Sequence, residues 1–361
     1  MRGAAALMVF AAHSRAMFFG STKAALGIAQ SGPAKAGGFA LPDYLIPSGG
    51  HQAVLVFFVL SGLLVGGSAI RKIFDGTFRW IDYLGARLSR LWVPLIPILV
   101  LGGLLDLAAA HYFPGTPAAD SAGRVSIPIF LGNIAFLQDI AVPYLGSNGP
   151  LWSLSFEWWF YLAFPLLLIA GMRLRSSPAQ AVLAGLLALA IYFLVGPIFA
   201  FYFILWCFGA MVAVLPRRIP ANVIPKLIPV AVAVLLAVNL LVWKFQPYPL
   251  VADPLLAVCA AALCYLLLHA EGPARGRIYP VLAIFLARTS YTLYLAHCPM
   301  VSFLNCWLDP TEQPWPITPA NIVIVLGWQA LVFALCYLLY RAFEANTDKV
   351  RGRMALPRLK I

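Results

Sequence analysis

The chain has 361 residues, of which 62% are hydrophobic and only 11% are charged, and its formal net charge is +12. Soluble proteins contain about 25% charged residues, so this composition, with a mean hydropathy of +0.88, excludes a soluble globular protein. It predicts an all-α polytopic membrane protein. The surplus of Lys and Arg is then typical of cytoplasmic loops that face anionic lipid, and we expect no nucleic-acid partner.

Apolar stretches of about 20 residues are long enough to cross a bilayer. We predict about ten transmembrane helices, which together form one membrane-embedded domain over residues 1–361. They lie at residues 3–19, 51–70, 88–110, 151–172, 181–195, 198–215, 227–243, 251–269, 282–304 and 320–341. A signal peptide is the alternative for the first segment, but His13 and Arg15 suit a functional helix better, and no small-residue cleavage site follows promptly.

The distribution of basic residues sets the orientation of these helices. If both termini are cytoplasmic, the outer side receives only five of the 25 Lys and Arg residues, namely Arg15, Lys23, Lys35, Arg124 and Lys244. This asymmetry predicts a protein of the inner (plasma) membrane with both termini inside. The sequence does not indicate the oligomeric state.

A long outer segment, residues 111–150, follows the third predicted helix. It contains an apolar stretch, 127–141, which carries Asn133, Gln138 and Asp139. We predict that this stretch is an interfacial or re-entrant piece, which requires that protein or a cavity covers its backbone.

His13 is the first polar residue that we expect to lie deep in the membrane. It follows Arg2 by eleven residues, which places the two side chains within roughly 20° of one helix face and roughly 16 Å apart along the axis. Ionisable groups inside a membrane usually mark a functional site. The alternative is a structural hydrogen bond between helices.

Arg87 and Arg90 lie at the cytoplasmic entrance of the third helix. Their i, i+3 spacing places them on one helix face, where two guanidinium groups can grip a phosphate or pyrophosphate. Anchoring to lipid headgroups is the alternative interpretation.

Glu157 is predicted to lie roughly 9 Å inside a helix that begins on the outer side. An interfacial aromatic belt explains the neighbouring tryptophans, but it needs no carboxylate. Glu157 can orient a histidine or accept a proton, and a structural hydrogen bond is the alternative.

Tyr291, Tyr294 and His297 recur every three residues and so project toward one side of the ninth helix. They can line a polar cavity, or the tyrosines can anchor the helix at the interface. The six cysteines show no metal-binding spacing, and no His, Asp and Glu cluster does either, so we expect no metal site.

Together these residues resemble the acyltransferase 3 family of integral-membrane O-acyltransferases. The resemblance covers essentially the whole chain. It rests on Arg2-Gly3 with His13, on Phe57–Gly62, on Arg87 and Arg90 up to Pro94, on Trp152–Glu157, and on Ser290–His297. Compared with the family pattern, Ala86 replaces the first residue of a double Arg, and Trp158 follows Glu157 where a second polar residue is common.

The resemblance implies a membrane-bound O-acyltransferase without a permanently bound cofactor. It would transfer an acyl group, by default acetyl, from cytoplasmic acyl-CoA to a hydroxyl of an envelope glycan or glycolipid. His13 and Glu157 would be catalytic, with His13 as general base or as carrier of an acyl intermediate. Arg2, Arg87 and Arg90 would hold the coenzyme, and the acceptor path would include Trp152, Ser155, Tyr291, Tyr294 and His297. The alternative is a secondary transporter or flippase that uses buried Glu and His, although the sequence shows no inverted repeat.

Overall fold

The computed structural model describes residues 1–20, 49–245, 248–271, 278–311 and 313–353. Lys23 and Lys35 of the charge analysis lie outside these ranges. The helices are α1 (Arg2–Phe19), α2 (Gly50–Phe74), α3 (Trp80–Tyr112), α4 (Ile127–Ile134), α5 (Trp152–Arg173), α6 (Pro178–Val195), α7 (Pro197–Val212), α8 (Ile224–Phe245), α9 (Pro249–His269), α10 (Ile278–Leu308), α11 (Pro319–Ala342) and α12 (Thr347–Arg353).

The all-α membrane architecture is confirmed. Within the described ranges, eight helices are long and apolar enough to cross a bilayer. The other two predicted segments also form helices, α1 and the shorter apolar α7. The prediction of 198–215 extends too far, because α7 ends at Val212 before Pro216 and a basic turn.

Residue type explains several helix boundaries. Proline begins α6, α7, α9 and α11, where its missing amide hydrogen has no intrahelical partner anyway. Gly196 alone separates α6 from α7, and its φ of +94° is a conformation that other residues adopt with difficulty. Thr318 caps α11 by accepting a hydrogen bond from the amide of Asn321.

Helix α1, which carries Arg2 and His13, packs against two of the long helices. This helix lies against α10 and α2, and α10 also packs on α3. Without a hydrophobic driving force between helices in lipid, small residues determine such contacts. A β-carbon on Gly3 of α1 would lie only 2.5 Å from the side chain of Leu286 in α10.

The crossing of α2 and α7 depends on two glycines. A β-carbon on Gly62 would lie 1.9 Å from the carbonyl oxygen of Trp206, and one on Gly209 would lie 1.8 Å from the carbonyl oxygen of Val59. The two backbones therefore touch, and α2 forms a π-helical turn at Gly62–Gly66 beside this contact. This explains why glycine ends the Phe57–Gly62 motif.

The outer stretch 127–141 consists of the short helix α4 and an irregular turn. Phe136 and Asp139 have positive φ angles in this turn. Protein carbonyls accept from its side-chain amides: the Asn133 amide nitrogen donates to the carbonyls of Ile129 and Pro143, and the Gln138 amide nitrogen donates to the carbonyl of Leu151. Gln138 Oε1 is buried and has no hydrogen-bond partner among the described residues. This coverage is what the prediction of a re-entrant or interfacial piece required.

Candidate active site

A cavity lies between α1, α2, α3, α5 and α10, with an empty volume of about 880 Å³ that includes its opening to solvent. It brings together six of the predicted site residues: Arg2, Arg87, Arg90, Glu157, Tyr291 and Tyr294. The remaining walls are mostly apolar, with Ser61, Ser153, Tyr161 and Ser290 adding hydroxyl groups.

The three arginines approach the cavity from two helices. Arg87 lies over the rings of Tyr83 and Tyr161, with its guanidinium carbon 5.5 Å and 6.0 Å from the ring centres. Its Nε is buried and, among the described residues, finds no hydrogen-bond partner. Arg90 is exposed, and Arg2 interacts electrostatically with Arg90 and Glu157. Such a cluster of cations is suited to a polyanionic ligand.

Glu157 lies with these arginines. The hydroxyl of Tyr161 donates to its Oε1 at 2.5 Å, and the same hydroxyl is 3.2 Å from Ser61 Oγ. The expectation that Glu157 orients a histidine is not met, because its observed partner is a tyrosine in the arginine cavity. Glu157 interacts electrostatically with Arg2 and lines the same cavity, whereas His13 is not among the described residues that line it.

His13 instead pairs with His297. His13 Nδ1 is 2.8 Å from His297 Nε2, and the rings are nearly parallel, with centres 5.1 Å apart. His297 was predicted on the acceptor path, but its side chain is completely buried and its second nitrogen, Nδ1, is 2.9 Å from the carbonyl oxygen of Leu293. Helices α1 and α10 thus place the imidazoles of His13 and His297 in direct contact.

The hydrogen bonds assign the protons of this pair. A carbonyl oxygen only accepts, so His297 Nδ1 carries a hydrogen and donates it to Leu293. In neutral His297 the Nε2 lone pair then accepts from His13 Nδ1–H. The remaining nitrogen, His13 Nε2, consequently carries a lone pair, which is the form that a base or nucleophile needs.

Gly50 leaves space beside that nitrogen. A β-carbon on Gly50 would lie 3.7 Å from His13 Nε2 and 3.4 Å from the side chain of Ala12. The start of α2 therefore keeps a small residue next to the atom that we expect to react.

Tyr294 lies between the arginine cavity and the histidine pair. It lines the cavity, and its ring centre is 6.1 Å from that of His297. Its hydroxyl donates to the carbonyl oxygen of Pro150 at 2.7 Å and is 2.6 Å from Ser153 Oγ. Neither histidine lines the cavity as the described residues form it. Tyr294 therefore forms part of the cavity wall and also contacts the histidine pair.

Ser155 does not fit the predicted role in substrate binding. Its side chain is fully buried, and its hydroxyl donates to the carbonyl oxygen of Phe136, which also accepts from Trp159 Nε1. Ser155 thus fixes the outer turn to α5. Ser153, two residues earlier, is the serine of this motif that lines the cavity.

Sequence reasoning missed one further charged residue near the site. Glu344, just after α11, accepts hydrogen bonds from the backbone amide of Thr292 at 3.1 Å and from its hydroxyl at 2.6 Å. It also interacts electrostatically with Arg2 and Arg90. The available signal was weak: an acidic residue in a strongly basic tail.

Among the described residues, no group of three or more His, Cys, Asp or Glu side chains is arranged to hold a metal ion.

Comparison with known proteins identifies the family. A family model described as "Acyltransferase domain", of the acyltransferase 3 type, matches residues 1–341. The chain belongs to the acyltransferase 3 family. The residues that prompted the resemblance, from Arg2 to His297, all fall within the matched range.

Two named relatives share part of the chain. A protein named "O-acetyl transferase" from Shigella phage Sf6 is 31% identical over 143 residues, which cover 38% of this chain and 39% of the relative. "Acyltransferase MdmB" from Streptomyces mycarofaciens is 34% identical over 118 residues, or 32% of this chain and 28% of the relative. The chain thus matches less than half of the length of either. No solved structure matches the chain at a significant level.

Proposed function

We propose that this protein is an O-acyltransferase of the inner (plasma) membrane. It transfers an acyl group, by default acetyl, from cytoplasmic acyl-CoA to a hydroxyl of an envelope glycan or glycolipid. The observation that carries the proposal is the His13–His297 pair, whose hydrogen bonds leave the lone pair of His13 Nε2 available. Family membership and the name of the phage relative support acyl transfer.

The arginine cavity is the binding site for the donor. Arg2 is the first residue of α1, and Arg90 is the eleventh residue of α3. Both line the cavity together with Arg87, whose Nε has no hydrogen-bond partner among the described residues. Guanidinium groups bind phosphates through two parallel hydrogen bonds. The extended arm of the coenzyme then follows the apolar walls to Tyr294. Arg2 and His13 are separated by roughly 16 Å along α1, and the arm spans this interval.

His13 Nε2 is the general base in our mechanism. As the acceptor hydroxyl forms its bond to the thioester carbonyl, His13 Nε2 takes the hydroxyl proton, and the carbon–sulfur bond breaks. The imidazolium then returns this proton to the leaving thiolate, so that the thiol and the ester are the products. His297 accepts from His13 Nδ1–H throughout and so holds the ring in the required tautomer.

The same lone pair also suits a two-step route. His13 Nε2 would attack the thioester and carry the acyl group before the acceptor arrives. Both routes depend on the hydrogen bond to His297, so the histidine pair is their common requirement. Trapping an acyl group on His13 in the absence of acceptor, followed by mass spectrometry of the peptide, distinguishes them.

The experiment that tests the function compares envelope glycans from cells with the wild-type gene, a deletion, or His13→Ala. A matched control is His111→Ala, since His111 is exposed near the outer end of α3. We expect mass spectrometry and NMR to show ester groups in the wild type and in His111→Ala, and none in the other two. Equal esterification in all strains contradicts the proposal and favours transport. If the esters persist in the His13→Ala strain but disappear in the deletion strain, His13 is not part of the mechanism.

A further inference from the structure

A second polar cluster lies outside the arginine cavity. His51 Nε2 of α2 is 2.8 Å from Asp253 Oδ2 of α9. The carboxylate is almost fully buried, with 3% of its side chain exposed, whereas 40% of the His51 side chain is exposed. A buried carboxylate needs a partner that compensates its desolvation. Here the partner is His51, and part of its imidazole ring remains exposed to solvent.

Aromatic side chains surround this pair. The ring centre of Trp152 is 6.4 Å from that of His51, with the planes inclined by 20°. Tyr202 of α7 lies 5.6 Å from Trp152 between ring centres, and its hydroxyl interacts with the Asp253 carboxylate. Trp152 and Tyr202 are both partly exposed. The cluster therefore combines a flat apolar surface with several hydrogen-bonding groups.

The cluster lies on the outer side of the predicted topology. The helices α2, α5, α7 and α9 all begin there, and Trp152, His51, Asp253 and Tyr202 lie in their first two turns. His51 directly follows Gly50, the residue that faces His13 Nε2. The residue that precedes His51 in the chain therefore lies next to the nitrogen that we expect to react.

We propose that His51, Asp253, Tyr202 and Trp152 form the binding subsite for a sugar ring of the acceptor. This inference rests on the function proposed above, and it identifies where the acceptor of that reaction binds. In neutral His51, Nε2–H donates to Asp253, and the Nδ1 lone pair then accepts a hydrogen from a sugar hydroxyl. Trp152 packs against the C–H face of the ring. A lipid chain does not suit this place, because it would leave the Nδ1 atom of His51 without a hydrogen-bond partner.

The binding test measures chemical modification of individual histidines by diethylpyrocarbonate in the purified wild-type protein. His51 and the exposed control His111 are followed by peptide mass spectrometry, with and without a panel of methyl glycosides of common hexoses and deoxyhexoses. We expect a glycoside to slow modification of His51 at least about threefold and to leave His111 unchanged. Unchanged modification of His51 with every glycoside overturns the subsite, and protection by coenzyme A alone assigns the cluster to the donor.

The kinetic test compares His51→Gln, Asp253→Asn and Trp152→Phe with wild type, using acetyl-CoA and the most protective glycoside. The loss of a hydrogen bond to substrate is expected to raise the acceptor KM about ten- to a hundredfold. The KM for acetyl-CoA and its slow hydrolysis without acceptor should not change. His51→Gln, which still offers a donor to Asp253, should retain more activity than His51→Ala.

These two measurements separate the subsite from the proposed function. A parallel loss of acetyl-CoA hydrolysis and of transfer, at constant acceptor KM, shows that the cluster serves folding or chemistry and overturns the inference. If wild type shows His51 protection but no acyl transfer, the sugar subsite stands and the acyltransferase proposal fails. Thermal unfolding of each variant in detergent checks that it is folded.

Discussion

His13 and His297 are separated by 284 residues in the sequence, yet their Nδ1 and Nε2 atoms lie 2.8 Å apart. The carbonyl oxygen of Leu293 accepts from His297 Nδ1, so this nitrogen carries a hydrogen. A backbone carbonyl on α10 thus determines, through one imidazole, which nitrogen of the other carries the lone pair. In the mechanism that we propose, His297 is a positioning residue, and His13 is the residue that meets substrate.

The first prediction concerns the acceptor that His297 offers to His13. His297→Leu removes it and leaves the buried His13 Nδ1–H without a partner, so we expect kcat to fall about 10²- to 10⁴-fold. His297→Gln supplies an amide oxygen in its place and should recover part of this loss. Because the two residues act as a unit, the double variant with His13→Ala should be no slower than His13→Ala alone. Additive losses would falsify the pairing.

The second prediction concerns the space beside His13 Nε2. Gly50→Ala adds a methyl group 3.7 Å from this nitrogen at an ordinary contact distance, so the protein should fold normally. We expect the methyl group to displace the reacting hydroxyl and to reduce kcat about 10- to 10²-fold. Gly171→Ala is the matched control, because a β-carbon there meets nothing within 4 Å. Full activity of Gly50→Ala at wild-type expression places the reacting groups elsewhere.

The third prediction concerns the donor site. Arg87→Gln should raise the KM for acyl-CoA about ten- to a hundredfold, since one charge-assisted hydrogen bond contributes about 1.5–3 kcal/mol. Arg87→Lys should also be impaired, because an ammonium group loses the planar contact with Tyr83 and Tyr161. Arg288→Gln, exposed and outside the cavity, is the control. Steady-state kinetics in membranes decide the matter, and an unchanged donor KM in Arg87→Gln contradicts the assignment.

The fourth prediction concerns Glu344. Glu344→Ala removes both hydrogen bonds to Thr292 and the negative charge near Arg2 and Arg90. We expect a loss of about 1–3 kcal/mol in the free energy of unfolding and a higher KM for acyl-CoA. Glu344→Gln, which keeps a hydrogen-bond acceptor, should restore most of the stability but not the KM. Lys349→Gln, at an exposed position in the same tail, should change neither.

The fifth prediction concerns the crossing of α2 and α7. A methyl group on Gly62 or Gly209 would overlap a backbone carbonyl of the other helix, and the helices must separate to accept it. We expect Gly62→Ala and Gly209→Ala to lower the thermal midpoint in detergent or to prevent folding, because overpacking costs about 1–3 kcal/mol or more. Gly185→Ala in α6, where no atom lies within 4 Å, should be neutral or stabilising. Equal midpoints for all three variants disagree with this close crossing.

The sequence was sufficient for the properties that belong to single segments. All ten segments that hydropathy selected contain helices, and eight helices within the described residues are long and apolar enough to cross a bilayer. Spacing on one helix placed Arg87 and Arg90 together, and it placed Tyr291 and Tyr294 on the same cavity. Arg2 lines the same cavity as Arg87 and Arg90, and the predicted topology had assigned all three to the cytoplasmic side.

Only the tertiary structure decided which residues face each other across helices. It shows hydrogen bonds between His13 and His297 and between Tyr161 and Glu157. It also shows that Ser155 donates to the carbonyl oxygen of Phe136 and that His51 pairs with Asp253. Helices in lipid have no hydrophobic force that selects a neighbour, so small residues and interhelical hydrogen bonds make the choice. These contacts join residues that are far apart in the chain, and the periodicity of a single helix carries no information about them.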